Sequence, residues 1–448
     1  MTYLEFLQNV AAAPANYCLI LAFVSLFYFL VLRKQLYSIF DPLALVIIFT
    51  SFGAADVLFM WWQNIIELRF LFEFISTECA FLVGFMAFTP FSLKKRQGRI
   101  TGTQDRRFLS ALYIVSSLTF IGTQLITYQV RGIPLLYGSR LEYYSTGGGL
   151  GALDRVLSVT WFVTCYLLLY RLFYRIRIRQ WPRSIDLAVA IALAGSNVLS
   201  GSKSSILFAV YALFYFEFFH GGYLSRTGKS FILKRLQKGI IISSIAVAVG
   251  VIMFKVSTGA LGVVGYALYE RFVSAGDVYF MSYPKNMIDT LSGGGGMLAI
   301  FGSLLAMFRL IPPSALPENL GFQLYRAVYG FNAFVGPNPR HNVFGVVYFG
   351  VVGAVFYSLT LGLLVGFVRN QLARWIRPGS AIEPLYAFLS VSAVWATTDI
   401  GGLVKDLGSV ILVVPVLYLV AWVLCWASAT EIEPIALCDR LDHAGRTS

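Results

Sequence analysis

Charged residues are scarce in this chain. They make up 13% of its 448 residues, whereas hydrophobic residues make up 58%, and the mean hydropathy is +0.72. Soluble domains carry roughly 25% charged residues. This scarcity excludes an ordinary soluble globular protein and predicts an integral membrane protein.

Cysteine is also sparse, and its spacing carries no motif. None of the five cysteines forms a CxxC pair, and each lies in an apolar run or in the final tail: Cys18, Cys79, Cys165, Cys425 and Cys438. A disulfide framework or a structural zinc site needs closer, repeated spacing. We therefore predict neither.

Motifs that bind nucleotides or catalytic metals are missing from the sequence. We find no P-loop, no HExxH, no DxD-like metal pair and no GxSxG. Phosphoryl transfer from a nucleotide and metal-assisted hydrolysis each depend on such motifs. We expect no cofactor and no metal ligands.

Long apolar runs recur along the whole chain. A helix needs about 20 apolar residues to cross roughly 30 Å of hydrocarbon. We predict an all-α integral membrane protein with about eleven transmembrane helices, at residues 15–32, 42–62, 70–91, 108–128, 156–170, 185–199, 205–219, 240–254, 343–365, 382–397 and 407–426.

The basic residues indicate the orientation of these helices. The chain has 35 Lys and Arg against 22 Asp and Glu, and most of the basic residues fall in the loops after the odd-numbered helices. Cytoplasmic loops carry such an excess, so we predict the N-terminus outside the cytoplasm and the C-terminus inside. Because the positive charge is divided among short loops, we interpret it as a topology signal and predict no nucleic-acid partner.

Two longer excursions interrupt the helices on the predicted outer side. Residues 129–155 form the first and residues 257–342 the second, which is rich in Gly and Pro and long enough for a cap of short helices and loops. The predicted organisation is 1–128 for helices one to four, 129–155 for the first loop, 156–256 for helices five to eight, 257–342 for the large loop, and 343–448 for helices nine to eleven with the tail. An apolar run at 297–310 inside the large loop is interpreted as an interfacial or re-entrant helix.

Several ionisable residues lie within or beside the predicted spans. Asp56, Glu73, Glu78, Lys255 and Asp399 all fall towards the outer ends. Charges inside a bilayer cost about 2.5 to 3.5 kcal/mol each, so their position carries information. We interpret the bias as a polar chamber that opens outward, with helix-to-helix pairing of the acids as the alternative.

A second group of charges could bind anions. Lys203 lies in the tip Ser-Gly-Ser-Lys-Ser-Ser between two spans, where hydroxyls, a cation and free NH groups at a helix start favour an anion. Arginine binds phosphate oxygens bidentately and keeps its charge. The outer loops provide Arg131, Arg140, Arg271, Arg309, Arg326 and Arg340, with His341 next to the last. Solvated or headgroup-facing arginines remain the alternative for each.

These residues occur in short motifs that resemble the O-antigen and capsule repeat-unit polymerases of Gram-negative bacteria, the Wzy family. The motifs are Arg-Gly-Ile-Pro from Arg131, Ser-Arg-Leu-Glu to Glu142, the Gly-Ser-Lys-Ser tip, and Gly-Pro-Asn-Pro-Arg-His-Asn running into Tyr-Phe-Gly-Val-Val-Gly. Members carry an arginine, ten intervening residues and a glycine in two periplasmic loops. Arg140 with Gly151 fits that spacing, whereas Arg340 with Gly350 is one residue short.

The resemblance implies a GT-C-like membrane glycosyltransferase in the bacterial inner membrane. Such an enzyme joins undecaprenyl-diphosphate-linked oligosaccharide units on the periplasmic face, beside a Wzz-type chain-length regulator and a flippase. Arg131, Arg140, Lys203, Arg271 and Arg340 would neutralise the diphosphate without metal, and His341, Glu270 or Glu142 would serve as the base. Two other functions stay open: an O-antigen ligase of the same fold, and a flippase or other transporter of lipid-linked oligosaccharides.

Overall fold

The computed structural model describes residues 1–91, 103–136, 151–177, 182–200, 205–226, 272–291, 293–331 and 335–427. Within these ranges every regular element is a helix. The main helices are α1 (Tyr3–Ala12), α2 (Pro14–Leu32), α3 (Pro42–Trp62), α4 (Leu68–Met86), α5 (Thr103–Arg131), α6 (Gly151–Arg177), α7 (Ser184–Leu199), α8 (Ser205–Arg226), α9 (Asp277–Ser282), α10 (Gly296–Met307), α11 (Leu320–Tyr329), α12 (His341–Gly366), α13 (Glu383–Trp395) and α14 (Ile400–Ala427).

Six helical stretches of the described chain are long and apolar enough to cross a membrane. They are Pro14–Leu32, Pro42–Trp62, Arg107–Leu136, Gly151–Phe173, His341–Trp375 and Ile400–Ala427. This all-helical architecture is consistent with a multi-pass membrane protein. The predicted total of eleven spans is not confirmed, and the eighth, at residues 240–254, lies outside the described residues.

The chain divides into two compact units. Unit 1 comprises Met1–Phe91, Ile252–Ala373 and Ser390–Lys405, and unit 2 comprises Ser92–Val251, Arg374–Leu389 and Asp406–Ser448. Unit 1 holds α1 to α4 and the short helices of the large loop. Unit 2 holds α5 to α8 and most of α14.

Local sequence explains where α3 begins. Pro42 stands at the first helical turn, where its missing N–H costs nothing, and the Asp41 side chain accepts a hydrogen bond from the backbone N–H of Leu43 at 2.9 Å. The helix then runs to Trp62 through residues that are almost all apolar. These are the bounds that the apolar run predicts.

Helix α12 is a hairpin of two helices. Gly350 has φ 69° and ψ 174°, which interrupts the helix, and the Nδ1 atom of His341 lies 3.0 Å from the Oγ atom of Ser358. In a continuous helix these two residues would be about 25 Å apart at ~1.5 Å per residue. A Cβ built on Gly345 would lie 2.9 Å from the Cβ of Ala354, as antiparallel packing of residues 341–349 on 351–366 requires.

The predicted span at residues 343–365 is therefore not one continuous helix but is interrupted at Gly350, within the stretch His341–Trp375 that counts as one span by length and composition. Apolar residues on both sides of Gly350 give an unbroken hydropathy signal, which does not register a reversal of chain direction.

After the turn, residues 351–366 pack against α4 through small residues. A Cβ on Gly84 would lie 2.3 Å from the Leu359 carbonyl oxygen, and one on Gly362 would lie 2.2 Å from the Phe81 carbonyl oxygen. Glycine permits this close approach of two backbones.

Short helices fill the described part of the large loop, as its composition predicts. Helix α10, at the run predicted to be interfacial or re-entrant, has 12 residues, or about 18 Å, and is too short to span. Helix α1, which the sequence analysis did not predict, packs on α9 through Phe6 and Phe280, whose rings stack at 4.6 Å. The N-terminal helix and the large loop therefore meet at one end of unit 1.

Candidate functional site

The end of the large loop enters the interior of unit 1. Arg340, His341 and Asn342 are 7%, 5% and 1% exposed, although we predicted them in an outer loop. Their partner Glu78 lies near the middle of the 19-residue α4 and is 6% exposed. The end of the large loop and the start of α12 thus bring polar residues to the level of the middle of α4.

Backbone contacts hold this segment in place. The N–H groups of Arg340 and His341 donate to the carbonyl oxygens of Thr398 and Thr397 at 3.0 and 3.1 Å. Arg340 itself adopts φ 39°, a conformation that is uncommon for any residue other than glycine. Strained backbone of this kind persists only where the surroundings fix it, and it is concentrated at functional sites.

Glu78 is the centre of a hydrogen-bond network. Its Oε1 atom accepts from the Tyr28 hydroxyl at 2.8 Å, and its Oε2 atom lies 3.2 Å from both the His341 Nε2 and the Asn342 Nδ2 atoms. Thr77 extends the network, since its Oγ1 atom accepts from Asn342 Nδ2 at 2.9 Å. Three donors on one carboxylate stabilise its ionised form.

The contacts of His341 select one tautomer. Nε2–H donates to the Glu78 carboxylate, and Nδ1 accepts from the Ser358 hydroxyl. The imidazole also stacks on the Phe81 ring, with centroids 5.1 Å apart. A carboxylate on one nitrogen stabilises the imidazolium that forms when the other takes a proton, which suits a general base. A substrate hydroxyl would have to replace Ser358 at Nδ1.

Arg340 faces a second group of polar atoms. Its Nη2 atom donates to the carbonyl oxygens of Phe49 and Ala275 at 2.9 and 2.7 Å. Asp56 lies nearby, interacts with the Arg340 charge and accepts a hydrogen bond from the Tyr17 hydroxyl at 2.7 Å. These contacts join the large loop to α3. Arg340 therefore stabilises the packing of the loop, in addition to the anion binding that the sequence predicts.

Tyr279 connects the two groups. Its hydroxyl donates to Asn342 Oδ1 at 2.6 Å, and the Arg340 guanidinium lies 5.8 Å from its ring centroid. Burial raises the pKa of the Tyr279 phenol, so the group keeps the proton that it donates. Tyr28, Tyr279, Asn342 and Ser358 were not predicted as site residues, since no sequence pattern connects them.

The remaining predicted site residues are placed as follows. Arg131 lies in unit 2, where its Nη1 atom is 3.0 Å from both carboxylate oxygens of Asp154. Arg326, in the large loop, pairs with Glu318 at 2.6 Å. The other residues lie outside the described part of the chain: Glu142, Arg140, Lys203, Glu270 and Arg271. The structure therefore brings together His341, Arg340 and the previously unassigned Glu78.

Comparison with known proteins adds no relative. No family model matches the chain, and no curated protein and no solved structure matches it.

Proposed function

We propose that this protein is a membrane glycosyltransferase that joins undecaprenyl-diphosphate-linked oligosaccharide units into a surface polysaccharide on the periplasmic face. The observation that carries this proposal is the Glu78–His341 pair, buried where the large loop enters unit 1. Ionisable groups among membrane helices are costly and are functional by default. The sequence resemblance supplies the substrate class and the predicted inner-membrane location, with a Wzz-type regulator and a flippase as partners.

The chemistry assigns one role to each residue. The acceptor sugar's hydroxyl oxygen attacks the anomeric carbon of the donor, whose bond to the diphosphate oxygen breaks with both electrons going to the diphosphate. His341 takes the hydroxyl proton at Nδ1, and Glu78 stabilises the resulting imidazolium. Cations of the large loop neutralise the diphosphate, with Arg340 also holding the loop in place.

Transport of a lipid-linked oligosaccharide is the second candidate. It is favoured by the interruption at Gly350 and by the carboxylates Asp56 and Glu78 inside unit 1. Transporters bind substrates and coupling ions at discontinuous helices and use buried acids as proton relays. A transporter would need Glu78 and His341 for movement of the substrate and not for bond formation.

A deletion strain of the host bacterium tests these functions. The expected phenotype is lipid A capped with single repeat units, restored to a ladder by the wild-type chain but not by His341→Gln or Glu78→Gln at equal protein levels. Glycan absent from lipid A, with polymer still attached to its carrier, would identify a ligase. Repeat units retained on the cytoplasmic leaflet would identify a transporter, and either result would overturn the polymerase proposal.

A further inference from the structure

Three aromatic rings cluster on the surface of the large loop. Tyr325 and Tyr329 lie one turn apart on α11, with ring centroids 4.4 Å apart. Phe331 packs against both at 5.6 and 6.3 Å, and its side chain is 53% exposed. We call these three residues the aromatic platform.

The platform is fixed by its surroundings. Helix α11 ends at Gly330, whose left-handed φ of 77° turns the chain so that Phe331 returns over the tyrosines. The Tyr329 hydroxyl accepts a hydrogen bond from the backbone N–H of Tyr3 at 3.1 Å. Rings that are ordered before binding lose little entropy when a ligand stacks on them.

Charge separates this surface from a lipid-facing one. Arg326, between the two tyrosines on α11, forms two hydrogen bonds with Glu318, at 2.9 and 2.6 Å, and both side chains are exposed. The pair is neutral overall but offers donors and acceptors beside the rings. A surface that attracts anionic lipid would carry unbalanced Lys and Arg.

Helix α10 of the same loop provides the contrast. It exposes Met297 and Phe301, and no charged residue lies between Gly296 and Phe308; the first charge, Arg309, follows the helix. That composition matches hydrocarbon. The platform instead combines apolar ring faces with a neutral polar rim, which complements a pyranose, whose C–H face stacks on aromatic rings while its hydroxyls form hydrogen bonds.

The platform is also joined to the candidate site. At the start of α11 the backbone of Gly321 touches that of Gly336 and Pro337, since a Cβ on Gly321 would lie 2.2 Å from the Pro337 carbonyl oxygen. Gly336 and Pro337 belong to the segment that leads to Arg340 and His341. A ligand on α11 would therefore lie on a helix that contacts the segment leading into the site.

We infer that the aromatic platform, with the Arg326–Glu318 pair as its rim, is a binding surface for an uncharged stretch of the glycan chain. This inference rests on the proposed function and deepens it by adding a subsite that retains the chain between additions. Losing the platform should shorten the polymer without abolishing it.

Binding to the purified full chain in nanodiscs tests the inference. The probe is the host's own surface polysaccharide, released from lipid by mild acid, with vesicles of zwitterionic and anionic lipid as the second arm. Phe331→Ala should weaken polysaccharide binding about tenfold, or ~1.4 kcal/mol, and shift the ladder to shorter chains. Phe331→Trp should restore both, and Phe308→Ala, 47% exposed beside α10, should change neither.

Two outcomes would overturn the inference. One is unchanged polysaccharide binding in Phe331→Ala and in an Arg326→Gln, Glu318→Gln double variant, both at wild-type thermal stability. The other is loss of vesicle binding alone, which would assign the platform to lipid. Because binding is measured without turnover, a normal ladder from His341→Gln would refute the proposed function and leave the platform result intact.

Discussion

Each unit of the molecule holds a histidine against a glutamate, with a tyrosine hydroxyl on the same carboxylate. In unit 1 these are His341 and Glu78 at 3.2 Å, with Tyr28. In unit 2 they are His220 and Glu383 at 2.7 Å, with Tyr166. The residue types are the same, but the backbone around them differs.

The unit 2 pair closes a loop. Glu383 is the first residue of α13, where the helix dipole stabilises a carboxylate. Its Oε2 atom accepts a hydrogen bond from the backbone N–H of Gly379. His220 lies within α8 and packs against Phe216, with the ring centroids 4.7 Å apart and the rings tilted. Both side chains lie on helical backbone, and the positive φ of 76° nearby belongs to Gly379, which adopts it without strain. Fixing the turn before α13 is therefore sufficient to explain this arrangement.

The unit 1 pair needs unusual backbone. Glu78 is in mid-helix and closes no turn, and His341 contacts it directly after Arg340, which adopts φ 39°. The contact of His341 with Ser358 exists because Gly350 reverses the chain. Backbone strain at a residue other than glycine, such as that of Arg340, is concentrated at functional sites. A buried His–Glu pair is therefore informative when the backbone that holds it is strained, and not because the pair is buried.

The largest expected effect is on catalysis. His341→Gln should lower polymer formation by about 10²- to 10⁴-fold because general acid–base groups contribute rate factors of that order. Glu78→Gln should lower it similarly, since the imidazolium loses its counter-charge. Polymer is scored by ladder intensity and initial rate at matched protein levels.

His220→Gln is the matched control. It removes the equivalent histidine from unit 2 and should leave the rate per folded molecule within a few-fold of wild type, while lowering thermal stability. Equal losses of rate in His220→Gln and His341→Gln would show that the two pairs do not differ in function.

Much of the helical framework is readable from the sequence. The apolar run 42–62 coincides with α3, because Asp41 and Pro42 are start signals and the bilayer requirement fixes the length. Helix α1 was missed because a search for spans of about 20 apolar residues does not register a helix of ten residues, although it carries a buried stripe of Phe6, Leu7 and Val10. Local pattern predicts helices well where length and caps agree.

The candidate site was readable only in part. The unusual Pro-Arg-His-Asn setting drew attention to Arg340 and His341, and Glu78 stood out as a charge in an apolar run. The contact of His341 with Glu78 depends on how the end of the large loop packs against α4, and the contact with Ser358 depends on the reversal at Gly350; a hydropathy pattern detects neither. Ser358 cannot be identified as a site residue from the sequence, because its short distance from His341 follows from the hairpin and not from the sequence spacing of the two residues.

The next effect, on stability, concerns Arg340. Arg340→Met removes the donor to the carbonyl oxygens of Phe49 and Ala275, and a buried polar group without a partner costs about 1 to 3 kcal/mol. We expect a total loss of about 3 kcal/mol in the free energy of unfolding, measured by denaturation in detergent.

Arg326→Met is the control, because it removes an exposed surface arginine and should lower the free energy of unfolding by at most ~1 kcal/mol. Unchanged stability in Arg340→Met, combined with lost activity, would assign the guanidinium to the diphosphate alone.

The smallest effect tests the hairpin on which the whole comparison depends. No atom lies within 4 Å of a Cβ built at Gly350, so Gly350→Ala adds no clash and only forces an alanine into φ 69° and ψ 174°. Such conformations cost about 1 to 3 kcal/mol for residues other than glycine, and we expect the free energy of unfolding to fall by that amount in a thermal unfolding experiment.

Gly122→Ala is the control. It also meets open space but lies inside α5 without a positive φ, so it should be neutral or slightly stabilising. If Gly350→Ala behaves like Gly122→Ala, the chain continues through residue 350 as one helix. His341 and Ser358 would then be ~25 Å apart, and the Glu78–His341–Ser358 network could not form.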